Sequence, residues 1–229
     1  MINYAVFDAE LVTITRKRNQ KTDTVNTATT QEVNRAVIAD RSSTIRRALA
    51  GRSIVLVGIM GVGKSTIGKK LAQYLDIPFV DADKEIEKAA GMDIQDIFDQ
   101  FGEEAFRSGE KKVIKRLMGE GQKILATGGG AFMNEEIRED ISQGGVSVWL
   151  NADLEILMKR VQRRSDRPLL KTEDPEAVMK ALLEERNPVY ALSDVHIESR
   201  TVSRDVIAAE VVDLLADQLP AIAEERKWA

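Results

Sequence analysis

The residues most able to do chemistry lie in GIMGVGKST, Gly58 to Thr66. Gly58, Gly63, Lys64 and Ser65 stand at the spacing G-x-x-x-x-G-K-[ST], the pattern of a phosphate-binding loop. A chain that turns from strand to helix with little side-chain bulk aims several backbone N–H groups inward. Those donors, here from Gly61, Val62, Gly63, Lys64, Ser65 and Thr66, act with the positive end of the helix dipole to cradle a polyphosphate. Lys64 reaches the β- and γ-phosphate oxygens as a mobile point charge, and the Ser65 hydroxyl is placed to ligate Mg²⁺. An accidental glycine-rich turn is the alternative. It would not also bring the aliphatic run Ile54 to Val57 before the loop and the helical spacing of Ile67, Leu71 and Leu75 behind it.

Further polar clusters follow. Asp81-Ala82-Asp83 stands just past a short strand pattern. Two acids around one alanine can organise Mg²⁺ through water and accept a proton or hydrogen bond from a substrate hydroxyl, while a helix N-cap at Asp83 is the plain alternative. In FRSGE, Arg107 and Glu110 are i and i+3, so the glutamate can hold the arginine fork toward a carboxylate. By spacing alone, a surface ion pair is the better explanation. Gly128-Gly129-Gly130 ends another strand pattern, where glycines let the backbone approach a ligand; a flexible connection into a helix near Asn134 is the alternative. In KRVQRRSDRPLL, Arg160, Arg163, Arg164 and Arg167 gather at a helix end and the loop after it. They suit a lid over phosphates or a solvated cationic helix terminus. Arg186 in ERNPVY carries little meaning alone, and Pro188 is expected to stop its helix.

Composition narrows the classes these residues can serve. The chain has 229 residues, 43% hydrophobic and only 5% aromatic, with a formal net charge of -4. An aliphatic core is expected, base-stacking platforms are not, and the acidic balance argues against a nucleic-acid surface. With no cysteine and one histidine, His196, disulfides, thiolate metal sites and multi-histidine centres are excluded. No apolar run approaches the ~20 residues of a membrane span. The first fifteen residues lack a basic leader and carry Asp8 and Glu10, so no secretory signal is expected.

The positioning elements are an alternation of strand and helix. Strand patterns run over Ile54 to Val57, Phe79-Val80, Lys123 to Ala126, Val146 to Leu150 and Val195 to Ile197, with helical patterns between them. Continuous aliphatic strands suit a parallel sheet buried on both faces, so the fold class is α/β, doubly wound and five-stranded. Ligands in such sheets bind beyond the carboxyl ends of the strands, where these motifs fall. Ser42-Ser43 followed by Ile45, Ala48, Leu49 and Gly51 reads as a short capped helix leading into the first strand. Residues 1–42 are an extension whose Thr-, Asn- and Gln-rich part, Arg16 to Asn34, cannot bury enough surface to fold, and Arg16-Lys17-Arg18 reads as a solvated basic cluster. The domain is expected over 43–219 and a tail over 220–229.

Taken together, GIMGVGKST, DADKEIE, FRSGE, GGG, RPLL and ERNPVY resemble the shikimate kinases, in that family's order, over Ser53 to about Leu215. The resemblance implies a strand order of 2-3-1-4-5 and transfer of the γ-phosphoryl of ATP to the 3-hydroxyl of shikimate, on the route to chorismate and aromatic amino acids. It implies that Lys64 and the loop amides hold phosphates, that Ser65 ligates Mg²⁺ with Asp81 in its outer shell, and that Asp83 binds substrate hydroxyls and is the base. Arg107 and Arg186 would clamp the carboxylate with Gly128, Gly129 and Gly130 beside it. Arg167 would close from the lid, and Arg160 would cover adenine. The opposing wall near Ser203-Arg204 departs from the family's frequent proline. A cytoplasmic monomer with shikimate and ATP as its partners, and neither nucleic acid nor membrane, completes the expectation. The absence of an N-K-x-D motif argues against a GTPase, and retention of these side chains argues against a silent binding copy. Another small-molecule kinase, acting on gluconate or a nucleoside monophosphate, is the nearest rival.

Overall fold

The computed structural model describes residues 38–161 and 173–228. Strand β1, Ser53–Val57, is buried along its whole length, as an aliphatic run must be when both sheet faces are covered. It pairs in parallel with β3, Ile124–Ala126, on one side and with β4, Gly145–Asn151, on the other. Strands β2, Phe79–Asp81, and β5, Val195–Glu198, complete the sheet in the order β2-β3-β1-β4-β5, all parallel. Each strand lies within one residue of its sequence expectation at either end. The edge position of β5 is visible in its alternating burial, with Val195 and Ile197 inward and His196 and Glu198 outward.

Helix α1 occupies residues 38–49, α2 Lys64–Leu75, α3 Ala82–Ala90 and α4 Ile94–Gly119. Helix α5 is Glu135–Gly144, α6 Leu154–Val161, α7 Pro175–Tyr190 and α8 Arg204–Glu225. Helices α2 and α8 pack on one another, as do α4 and α5. Gly102, at φ 79° and ψ 174°, breaks α4 into two segments, a conformation only glycine adopts without strain. The second segment then buries Phe106, Glu110, Val113, Ile114 and Leu117, which leads Arg107 and Glu110 to the sheet's carboxyl edge. Among the described residues no helix is long and apolar enough to cross a membrane.

Three boundaries differ from expectation. Ser42 and Ser43 lie inside α1 rather than capping it. The Ser43 hydroxyl donates to the Asp40 carbonyl at 2.8 Å, and that of Ser42 to the Tyr74 carbonyl at 2.8 Å. With Arg46 donating to the Leu75 carbonyl at 2.9 Å, α1 satisfies orphan carbonyls at the end of α2. Ile45 and Leu49 are fully buried, so a boundary between 42 and 43 cuts a packed helix. Pro188 does not stop α7, which runs on to Tyr190. The proline forfeits the bond its N–H would have made to the Glu184 carbonyl, and the burial of Tyr190 favours one more half-turn all the same.

Nor are residues 220–228 a loose tail. Helix α8 continues through Pro220, and Trp228 is 5% exposed beyond it. The Arg52 guanidinium lies 5.0 Å from the indole centroid and donates to the Trp228 carbonyl at 3.0 Å; Arg226 lies 5.5 Å from the ring. Arg226 also donates to the Gly145 carbonyl at 3.0 Å and pairs with Asp194, whose other oxygen accepts from the Ser147 amide at 2.7 Å. The chain end thus ties the starts of β1 and β4 together. Trp228→Ala is expected to cost about 3 to 5 kcal/mol in denaturant unfolding; a loss below ~1 kcal/mol, the ordinary surface range, would remove Trp228 from the core.

Candidate active site

The phosphate loop spans the turn from β1 to α2. Gly58 has φ 130°, and a Cβ there would come 2.4 Å from the Leu150 carbonyl oxygen, so both conformation and space demand glycine. Gly63, at φ 109°, forms the left-handed N-cap of α2 and accepts from the amides of Thr66 and Ile67 at 3.0 and 2.9 Å. Lys64 is folded against the loop, its Nζ donating to the carbonyls of Gly58 at 2.6 Å and Ile59 at 3.0 Å, with 9% of the residue exposed. Ser65 Oγ donates to Asp81 Oδ2 at 2.7 Å. Asp81 stands at the N-cap position of α3 without capping it through its side chain, and Asp83 follows in the first turn. The plain N-cap reading of Asp83 is therefore displaced: its carboxylate lines the same cavity, of about 280 Å³, as Gly61, Lys64, Ser65 and Asp81.

The three glycines after β3 explain themselves through their neighbours. A Cβ on Gly128 would lie 2.8 Å from Glu110 Oε1 and 2.9 Å from Asp83 Oδ1. One on Gly129 would meet the Met60 amide nitrogen at 3.2 Å, and one on Gly130 would strike Arg107 Nη1 at 2.6 Å. None of the three has positive φ. Space, rather than backbone freedom, favours glycine here: a Cβ at 128 or 130 would displace a charged side chain, and one at 129 would press on the phosphate loop. A turn at Ala131–Met133 then leads to Asn134, which caps α5 by accepting from the Ile137 amide at 3.2 Å.

Glu110 is 1% exposed and accepts from Arg107 Nη1 at 2.8 Å; Glu103 accepts from Arg107 Nε and Nη2 at 3.2 and 3.0 Å. The pair is no surface bridge. Burial pushes the Glu110 carboxyl up, Arg107 pulls it down, and the charge of Asp83 adds to the upward push. Burial also opposes the charge on Arg107, but the bonds from Glu110 and Glu103 outweigh it and hold the guanidinium above its ordinary value. Arg186, 9% exposed, extends Nη1 to the Gly129 carbonyl at 3.5 Å. Its Nε has no hydrogen-bond partner among the described residues, only Glu185 at 4.0 Å. Both arginines act electrostatically on Glu110 and on Tyr190, so the two cations converge on the glycine turn.

Arg160 also lines the cavity. Its Nη1 donates to the Val62 carbonyl and to Ser199 Oγ, each at 2.9 Å, and its Nη2 to the Arg200 carbonyl at 3.0 Å. Burial, with the charge of Arg204, holds its pKa below the ordinary value. Its edges bind protein, so it can meet a base only through its flat face. Ser203 caps α8, accepting from the Val206 amide at 3.3 Å, while Val202 and Arg204 line the cavity wall there. Arg167, Arg163, Arg164 and the rest of the RPLL stretch lie outside the described residues.

Ser65 and Asp81 offer one hydroxyl and one carboxylate beside the loop. That donor set suits Mg²⁺, which keeps most of its waters and takes phosphate oxygens rather than a protein cage. The sequence missed Tyr190, whose hydroxyl donates to the Gly129 carbonyl. It also left open the burial of Glu110, for which i, i+3 spacing gave a partner but no depth.

A family model described as shikimate kinase matches residues 60–216. A shikimate kinase from Brucella canis is 50% identical over 179 residues, covering 78% of this chain and 90% of the relative. One from Bradyrhizobium diazoefficiens is 55% identical over 181 residues, covering 79% and 87%. Among solved structures, a shikimate kinase from Acinetobacter baumannii in complex with shikimate superposes with a TM-score of 0.70 at 37% identity, over 72% of this chain and 93% of that one. A gluconokinase from Sinorhizobium meliloti, at 19% identity and a TM-score of 0.50, shares the fold. With the phosphate loop, the paired acids and the arginine-bearing glycine turn brought to one sheet edge, and with half the residues of these relatives retained over most of the chain, the protein belongs to the shikimate kinase family.

Proposed function

We propose that this protein transfers the γ-phosphoryl group of ATP to the 3-hydroxyl of shikimate, giving shikimate 3-phosphate and ADP on the route to chorismate. The observation that carries the reading is the pair of guanidinium groups, Arg107 and Arg186, converging on a glycine turn that also lies against Asp83 and abuts the phosphate loop. A small acid with one carboxylate and several hydroxyls needs cations at one end and a hydroxyl acceptor at the other. These side chains divide the work in that way.

The loop amides and Lys64 bind the β- and γ-phosphates, Lys64 leaving the Gly58 and Ile59 carbonyls to do so. Arg107, its fork fixed by Glu110 and Glu103, and Arg186 hold the acceptor's carboxylate. Asp83 accepts the proton of the 3-hydroxyl as its oxygen bonds to phosphorus and the bond to the ADP oxygen breaks. Ser65 and Asp81 would hold Mg²⁺, which when bound neutralises charge on the phosphate oxygens. Arg160 walls the base end. Arg167 is assigned to the transferring phosphates by the family resemblance alone.

The test is ADP release from ATP and Mg²⁺ with shikimate, gluconate and AMP offered separately. Release with shikimate alone is expected. Release only with another acceptor would keep the nucleotide site and reassign Arg107 and Arg186, and silence with all three would refute the activity.

A further inference from the structure

Tyr190 takes no part in the transfer as derived, yet it is 1% exposed and ends α7 directly over the glycine turn. Its hydroxyl donates to the Gly129 carbonyl, the same oxygen that Arg186 Nη1 approaches at 3.5 Å. Burial pushes that hydroxyl up to about 12, with the charge of Arg186, its hydrogen bond to the hydroxyl and the charge of Arg107 acting the other way, so it remains a donor at neutral pH. The ring stacks on Trp149 of β4 at 6.0 Å between centroids. Trp149 in turn backs the phosphate loop: a Cβ on Gly58 would lie 3.3 Å from its Cδ1.

We propose that Tyr190 is a positioning residue for the acceptor: by saturating the Gly129 carbonyl, its hydroxyl leaves Arg186 free to bind the acceptor's carboxylate. The inference rests on the reading of Arg107 and Arg186 as the carboxylate clamp. At 3.5 Å the arginine contributes little to the carbonyl while the tyrosine bond is in place. Without the tyrosine O–H, Arg186 Nη1 is the one donor left to that oxygen among the described residues. A partly buried carbonyl without a donor is unfavourable, so the guanidinium is drawn onto it and away from the ligand. The aromatic stack on Trp149 needs no hydroxyl and survives in phenylalanine.

The experiment compares the full-length parent with Tyr190→Phe, Arg186→Lys and the double variant, in initial rates against shikimate and ATP. Tyr190→Phe is expected to raise the shikimate KM about tenfold while kcat and the ATP KM stay within about threefold, the split expected when binding shared equally by ground and transition states is lost. In the Arg186→Lys background the same change is expected to move the shikimate KM less than about twofold, because the two act as a unit. An unchanged shikimate KM in Tyr190→Phe, or an equal rise in both backgrounds, would overturn the role. So would a Tyr190→Phe protein that fails to fold or melts far below the parent, which would make the hydroxyl a stability device. A parent inactive on shikimate would instead remove the acceptor reading, and this inference with it.

Discussion

Lys64→Met is expected to lower kcat by about 10³-fold or more, the scale of losing a preorganised cation on transferring phosphates, while the thermal unfolding midpoint stays near the parent's. The lysine is nearly enclosed, and its ammonium donates to the Gly58 and Ile59 carbonyls. Methionine fills similar volume without charge, so the loop keeps its packing and loses its mobile cation. The two carbonyls it leaves belong to a loop that opens on a cavity, where water replaces the lost donor at small cost. Stopped initial rates with saturating shikimate, together with a melting curve, separate the effects. A variant turning over within tenfold of the parent would show that the loop amides alone carry the phosphate charge.

Asp83→Asn is the second large expectation. General-base assistance contributes about 10²- to 10⁴-fold, and the amide cannot accept the hydroxyl proton, so kcat is expected to fall within that range. The isosteric side chain still hydrogen-bonds hydroxyls, and shikimate affinity measured by titration is expected to change far less than kcat. Asp83 faces buried Glu110 across Gly128, where both carboxylates come within 3 Å of one point. The like charge of Asp83 raises the Glu110 carboxyl, so removing it is expected to leave the fold intact. A kcat unchanged in Asp83→Asn would mean that the acceptor oxygen loses its proton without this carboxylate.

Tyr190 and Arg160 show how far the tertiary structure departs from side-chain spacing. Arg160 lines the cavity, but its donors bind Val62, Ser199 and Arg200, contacts 39 or more residues away that no local pattern encodes. The Tyr190 bond joins residues 61 positions apart. Trp228, within the expected tail, closes on Arg52 at a separation of 176. The start of α1 was misplaced for a related reason. Serine is a favoured N-cap, and only the partners of Ser42 and Ser43, the Tyr74 and Asp40 carbonyls, place both inside the helix.

By itself, the sequence determined the five strands, the phosphate loop and the class of fold. Parallel strands buried on both faces need unbroken aliphatic runs, and a phosphate loop needs glycine, lysine and a hydroxyl at fixed spacing; both requirements are local and so are written in consecutive residues. The reading of the arginines and acids as a substrate site came from the order of six motifs, since each alone had an ordinary structural explanation. The tertiary structure decided how deep these side chains lie and what they touch. It buried Glu110 so that Arg107 is oriented rather than merely paired. It set Asp83 and Glu110 against Gly128 and Arg107 against Gly130, so close that a Cβ at either would displace them, and it brought Arg186 and Tyr190 to one carbonyl. Depth, crowding and shared partners depend on chain segments that meet only after the sheet is assembled, which is why spacing along the chain could not supply them.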